Sequence, residues 1–237
     1  MQRLEALDFR HMGDLAHDSI RDAIISGQLS AGEKLSQDDL ARQLGVSRAP
    51  IRDALNRLEA EGLVRTAPKG VVVAEMTPQE LFDLFEVRAL IDSYAARRAC
   101  QLISGAEILL LERSVQRIAE LTGGDDLHGL VRAHGDFHAI IYGACGNAEL
   151  TRIAHSLWDR SYRYRLAGLT DRGVALSSLE HHREIMEAIR EKDMPRAERL
   201  MFEHNQRTIE HLLQQIGGSP HSSTPQDRGA RPEPMSR

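Results

Sequence analysis

Apolar residues recur along most of this chain with the spacing i, i+3, i+4, i+7. The repeat is interrupted at glycine, proline and capping residues that mark where each helix starts and stops. Leu15, Ala16, Ser19, Ile20, Ala23 and Ile24 predict a first helix that Gly27 ends. Two shorter helices follow within Leu35–Leu63. Ser36, with Asp39 three residues on, predicts a capped start; Leu40, Ala41 and Leu44 supply an inner face and Gly45 a tight turn. Ser47 predicts the cap of the next helix, whose buried stripe is Ile51, Ala54, Leu55 and Leu58. The period then changes: Leu63–Thr66 and Val71–Val73 predict two short strands around the turn Ala67-Pro68-Lys69-Gly70.

From Thr77-Pro78-Gln79-Glu80, a strong helix-start signature, to Ile216 the pattern is helical throughout. Breaks are predicted at Gly123-Gly124-Asp125, at Gly146-Asn147 and from Ala167 to Gly173, with new helices opening at Ser104, Leu127, Ser177 and Asp193. The fold class that follows is mainly α: an N-terminal winged helix-turn-helix over residues 13–76, then an all-α antiparallel bundle of six or seven helices over 77–216. Residues 1–12 carry no clear period and are expected to be flexible; 217–237, rich in Gly, Pro and Ser, are expected to be disordered.

Composition narrows the function classes. Hydrophobic content of 41% with 27% charged residues is ordinary for a globular protein. The absence of a long apolar run or signal-peptide pattern predicts a cytoplasmic protein without a membrane partner. Cys100 and Cys145 read as reduced core residues, not a disulfide framework. A net charge of −5 argues against a generic nucleic-acid coat. Residues 40–70, however, hold six basic side chains against three acidic ones, which suits a sequence-selective binder making few phosphate contacts. Arg48 and Arg52 lie four apart in the opening turns of the second helix, behind Ser47, where a helix-turn-helix reaches base edges and phosphates. Lys69 and Gly70 fall at the tip of the wing, where backbone can approach a phosphate or the minor groove.

The bundle carries its own candidate chemistry. Leu127, Val131, His134, His138, Ile141 and Cys145 share one face, putting two imidazoles a turn apart on the side expected to be buried. His182 aligns with Ile185 and Ile189, and His204 follows Leu200 by a turn. Four neutral imidazoles from three helices would suit zinc, nickel or a similar borderline divalent ion; ordinary hydrogen-bonded core histidines account for the same pattern. Arg88 lies within the stripe Leu81, Leu84, Phe85, Ile91 and Ala95. Its guanidinium should meet a carboxylate from the protein or a ligand, unless it reaches the end of the bundle.

At these residues the chain resembles the GntR superfamily of bacterial transcription regulators, in particular the FadR-type subfamily with an FCD effector domain. The resemblance is carried by LARQLGVSRAPIRDALNRLEAEGLV (40–64), LFEVRALID (84–92), FHAIIYGACGN (137–147), HREIMEAIREKDMPRAE (182–198) and MFEHN (201–205), and spans residues 12 to 216. It implies a homodimer that reads a near-palindromic duplex operator and responds to a small organic acid, more often as a repressor. It also implies a metal held by an Asp, a His four residues later and two further His. Here that pattern falls on His134, His138, His182 and His204, with His134 in place of the usual Asp, which makes the site less negative and favours zinc or nickel. Arg88 matches an arginine implied to act on the effector, and Arg48 and Arg52 match reading arginines, while Asp38 stands where some members carry another arginine. Two other readings stay open: a metal-sensing regulator without organic effector, and a polyhistidine metalloenzyme in which Asp136 or Glu203 could serve as base. An architectural DNA-binding protein with no effector is a third.

Overall fold

The computed structural model describes residues 9–68 and 70–215, so the expectations for Lys69, residues 1–8 and the tail 217–237 lie outside the described residues. The N-terminal unit is α1 (Phe9–Ile25), β1 (Lys34–Leu35), α2 (Gln37–Leu44), α3 (Arg48–Ala60), β2 (Val64–Ala67) and β3 (Gly70–Val73). α1 begins four residues before the predicted domain start. Its core-facing side is Ala16, Ile20 and Ile24, which meet Leu40, Ile51, Leu55 and Leu58 in one apolar cluster. Leu15 and Leu44, expected to face inward, are 54% and 37% exposed: each lies on the outer flank of a helix whose core stripe is already filled by its neighbours.

Ser36 accepts a hydrogen bond from the Asp39 N–H, and Gly45, with φ of 66°, ends α2 in the left-handed conformation that glycine adopts without strain. Ser47 has the extended backbone of a cap residue, but its hydroxyl makes no capping bond, against the expectation. The sheet has an unpredicted third strand. β1 pairs antiparallel with β3, giving the order β1-β3-β2, so the central strand is Gly70–Val73. Two residues are too few for alternation to reveal.

The bundle contains α4 (Pro78–Leu102), α5 (Gly105–Leu121), α6 (Leu127–Ala144), α7 (Ala148–Gly168), α8 (Arg172–Arg190) and α9 (Met194–Gln215), six helices among the described residues. Reciprocal capping boxes at Thr77/Glu80 and Ser104/Glu107 satisfy the first turns of α4 and α5. α8 starts at Arg172, not at Ser177. The Asp171 side chain already accepts the Gly173 and Val174 N–H groups, so the helix is capped upstream and Ser177–Glu180 lie inside it. α4 packs against α6, α7, α8 and α9 and so forms the axis of the bundle.

One bundle helix also holds the N-terminal unit. From α7, Asp159 pairs with Arg21 of α1, Arg163 donates to the Ala74 carbonyl, and the Tyr164 hydroxyl accepts the Met76 N–H at 2.7 Å. The Arg160 guanidinium lies against Gly62. Between α1, α6 and α7 runs a cleft of about 660 Å³, with Trp158 and Gly135 in its wall.

Candidate functional site

On the outer face of the N-terminal unit, Ser47, Arg48 and Arg52 are all exposed in the first two turns of α3. Arg48 is held by an ion pair from its Nε to Asp38 on α2, whereas Arg52 makes no ion pair among the described residues. Gly70 opens β3 with φ of 115°, a conformation that disfavours a side chain, and the Lys34 stem passes beside it. This surface presents cations and an uncommitted hydroxyl at the helix positions that enter a major groove.

The second constellation is buried between α4, α6, α7, α8 and α9. His138, His182 and His204 come together with one nitrogen each within 4.8 Å of one another. The His182 Nδ1–H donates to the Ser178 carbonyl at 2.6 Å, which fixes the tautomer and leaves Nε2 as the lone-pair nitrogen. His134 lies outside that group of three but against it: its Nδ1 is 3.4 Å from His182 Nε2, and the two rings meet edge to face. Both nitrogens of His138 and His204, and Nε2 of His134, are buried without a hydrogen-bond partner. Burial, then the neighbouring imidazoles and the Arg165 guanidinium, hold His134, His138 and His204 well below the ordinary histidine range, and burial, opposed by the Ser178 hydrogen bond, brings His182 to about 3. They are neutral near neutral pH, with lone pairs available.

Unpaired buried nitrogens are costly in an ordinary core. Three of the four rings carry such nitrogens, and with His182 they converge from three helices, which fits a divalent ion with affinity for nitrogen ligands better than unrelated core histidines.

Arg88 is fully buried and finds its carboxylate within the protein. Nη2 donates to Asp92 Oδ2 at 2.9 Å and Nη1 to Ser161 Oγ at 2.8 Å. Asp92 also accepts from the Tyr142 hydroxyl at 2.8 Å and from Asn205 Nδ2 at 3.1 Å, and lies 3.9 Å from His138 Nδ1. Burial disfavours the Arg88 cation, but Asp92 more than offsets this and its pKa ends above the ordinary value. A second guanidinium beside it is less well provided for. Arg165 is 6% exposed; its Nε reaches only Ser161 Oγ, at 3.4 Å, and its Nη2 has no partner. Burial and then the Arg88 charge push its pKa well below the usual arginine value. It stacks on Trp158, 4.4 Å from the ring centroid, which Arg88 faces at 4.9 Å.

Asp92, Tyr142, Ser161, Arg165 and Asn205 had not been singled out in the sequence. Asp92 could have been, since it stands i+4 from Arg88 on the same stripe. The residues considered as a catalytic base are elsewhere: Asp136 is exposed at the cleft, and Glu203 pairs with Arg199 at 3.0 Å. Among the described residues no helix is long and apolar enough to cross a membrane.

Comparison with known proteins agrees with this architecture. Residues 14–73 match the model of bacterial regulatory proteins of the gntR family, and residues 83–207 match the FCD domain. The Nta operon transcriptional regulator of Aminobacter aminovorans is 31% identical over 199 residues, 82% of this chain and 91% of that protein. The HTH-type transcriptional repressor GlaR of Escherichia coli is 28% identical over 84% of this chain and 95% of its own. Among solved structures, E. coli McbR/YncC superposes with a TM-score of 0.77 at 21% identity, covering 86% of this chain and 98% of that one, which shows the shared fold. These relatives are regulators, not enzymes, and the matches cover both the winged helix-turn-helix and the helical domain: the chain belongs to the GntR family of bacterial transcription regulators, in its FadR-type branch with an FCD domain.

Proposed function

We propose that this regulator is a homodimeric repressor acting on DNA in the cytoplasm, and that its helical domain binds a divalent ion together with a small carboxylate that weakens operator binding. The observation that carries the effector half is the buried cluster of partnerless imidazole nitrogens beside the unpartnered Nη2 of Arg165. In this reading Ser47, Arg48 and Arg52, with Lys69 and Gly70 at the wing, face the duplex. His138, His182 and His204, with His134 alongside, hold zinc or nickel, and Arg88, paired with Asp92, borders the place of the carboxylate. A bound divalent ion would supply a fixed positive charge and open coordination positions for an oxygen ligand. Repression is favoured by the names of two relatives, GlaR of E. coli and the gluconate operon transcriptional repressor of Bacillus subtilis.

Two half-sites about one helical turn, roughly 34 Å, apart are reached only by some arrangements of a dimer. An effector that binds better to the other arrangements lowers operator affinity by the factor by which the operator lowers its own. The test is operator binding by chelator-treated protein with zinc, nickel and candidate acids added singly and together. Release that needs both metal and acid supports the proposal. Release by metal alone makes the protein a metal sensor, and indifference to every addition removes the effector.

A further inference from the structure

We infer that Arg165 is the anion-binding residue of the helical domain, that its ligand is a dianion carrying two carboxylates, and that α7 carries the bound state to the DNA-binding unit. The inference rests on the reading above that this domain takes a carboxylate, and it names the residue and the charge.

The buried charges decide which arginine is available. Arg88 is matched by Asp92, which is itself held by Tyr142 and Asn205, so a ligand carboxylate at Arg88 would compete with an ion pair already built. Arg165 has no carboxylate, only a long contact to a hydroxyl that Arg88 also uses, and one terminal nitrogen buried without any partner. A guanidinium in that condition is expensive to keep, and its planar fork is shaped for a carboxylate. In this cluster two buried guanidiniums stand against one buried carboxylate, which leaves one positive charge uncompensated before any metal arrives. A divalent ion adds two more. A single carboxylate offsets at most one of these charges; a second carboxylate offsets another, so that the ion and Arg165 can each face an anion.

The same helix turns its other side to the N-terminal unit. Trp158, Ser161 and Arg165 face the buried cluster, while Asp159, Arg160, Arg163 and Tyr164 hold α1, Gly62 and the connection at Ala74 and Met76. Tyr164 is the residue next to Arg165. A shift or rotation of α7 that seats a carboxylate on Arg165 therefore moves the anchors of the DNA-binding unit directly, without an intermediary element.

The experiment uses full-length zinc-loaded protein and an operator selected from a random duplex pool. Malonate, succinate and glutarate are titrated by calorimetry, with acetate and propionate as single-carboxylate controls, and zinc affinity and operator affinity are measured alongside. At least one dicarboxylate is expected to bind about tenfold or more tightly than either control, a margin in keeping with one added charge-assisted pair. Arg165→Met should lose about that factor while retaining zinc affinity, and Arg165→Lys should recover part of it. Tyr164→Phe should bind the dicarboxylate as wild type does but release operator less. Equal dicarboxylate binding by wild type and Arg165→Met overturns the assignment and leaves the effector reading standing. Equal binding of one- and two-carboxylate acids overturns the dianion. Full operator release by Tyr164→Phe overturns transmission through that contact, and no binding of any acid by wild type overturns this inference and the effector reading together.

Discussion

Acidification of the metal-free protein should expose the cost of the buried imidazoles. His134, His138, His182 and His204 are at most 2% exposed and are held neutral by burial, whereas in the unfolded chain each regains the ordinary value near 6.5. The folded pKa lies below the unfolded one, so the unfolded state binds more protons below about pH 6.5 and stability falls as pH falls. The loss continues toward the folded-state values, down to about 3 for His182. Between about pH 7.5 and about pH 5.5, each ring that stays neutral in the fold and titrates in the unfolded chain costs about 1.4 kcal/mol. Four of them cost about 5 kcal/mol, comparable to the whole stability of a marginal domain. His181, half-buried and also lowered by burial, acts in the same direction. Asp136 and Asp159, raised by burial, act in the opposite one but chiefly at lower pH. Urea unfolding in the presence of a chelator, repeated across this range, measures the slope. His134→Leu should shrink the loss by about a quarter. A free energy of unfolding that changes by less than about 1.5 kcal/mol over the range would refute the picture of four neutral buried rings.

Asp92→Asn should destabilise the protein by about 3–5 kcal/mol in urea unfolding, because it leaves Arg88 and Arg165 buried together without a carboxylate; a change below about 1 kcal/mol contradicts that reading. Zinc at a hundredfold its Kd should stabilise chelator-treated protein by about 2.7 kcal/mol, and His182→Ala should lose most of that gain. In a filter or anisotropy assay, Arg52→Ala should weaken operator binding by about 1–3 kcal/mol, and unchanged affinity would remove this exposed arginine from the interface.

Local signals made much of the fold legible. The capped helices α2, α4 and α5, the glycine turn at Gly45 and the strand pair around the wing are set by residues within a few positions of one another. β1 was not legible, because two residues gain their strand character only by pairing with β3 across the unit. The start of α8 was misplaced because a serine–glutamate pattern inside a helix looks like a helix start when an aspartate upstream has already capped it. In the candidate site, the inward spacing of His134 and His138 and the alignment of His182 and His204 with apolar neighbours identified the rings that the structure buries together. Arg165 was invisible for the opposite reason. Nothing local marks an arginine next to Tyr164 as buried, and only the fold shows that it is turned into the core without an ion pair.

In the proposed reading, in which Arg48 faces the duplex, the Arg48–Asp38 ion pair has a consequence for how the protein searches a genome. Both partners are exposed, so the pair is weak and costs little to open, and it trims the attraction to arbitrary phosphate only slightly. A guanine edge offering two acceptors in the plane of the fork repays the opening. In that reading, discrimination between sequences is sharpened by an aspartate that never needs to touch DNA.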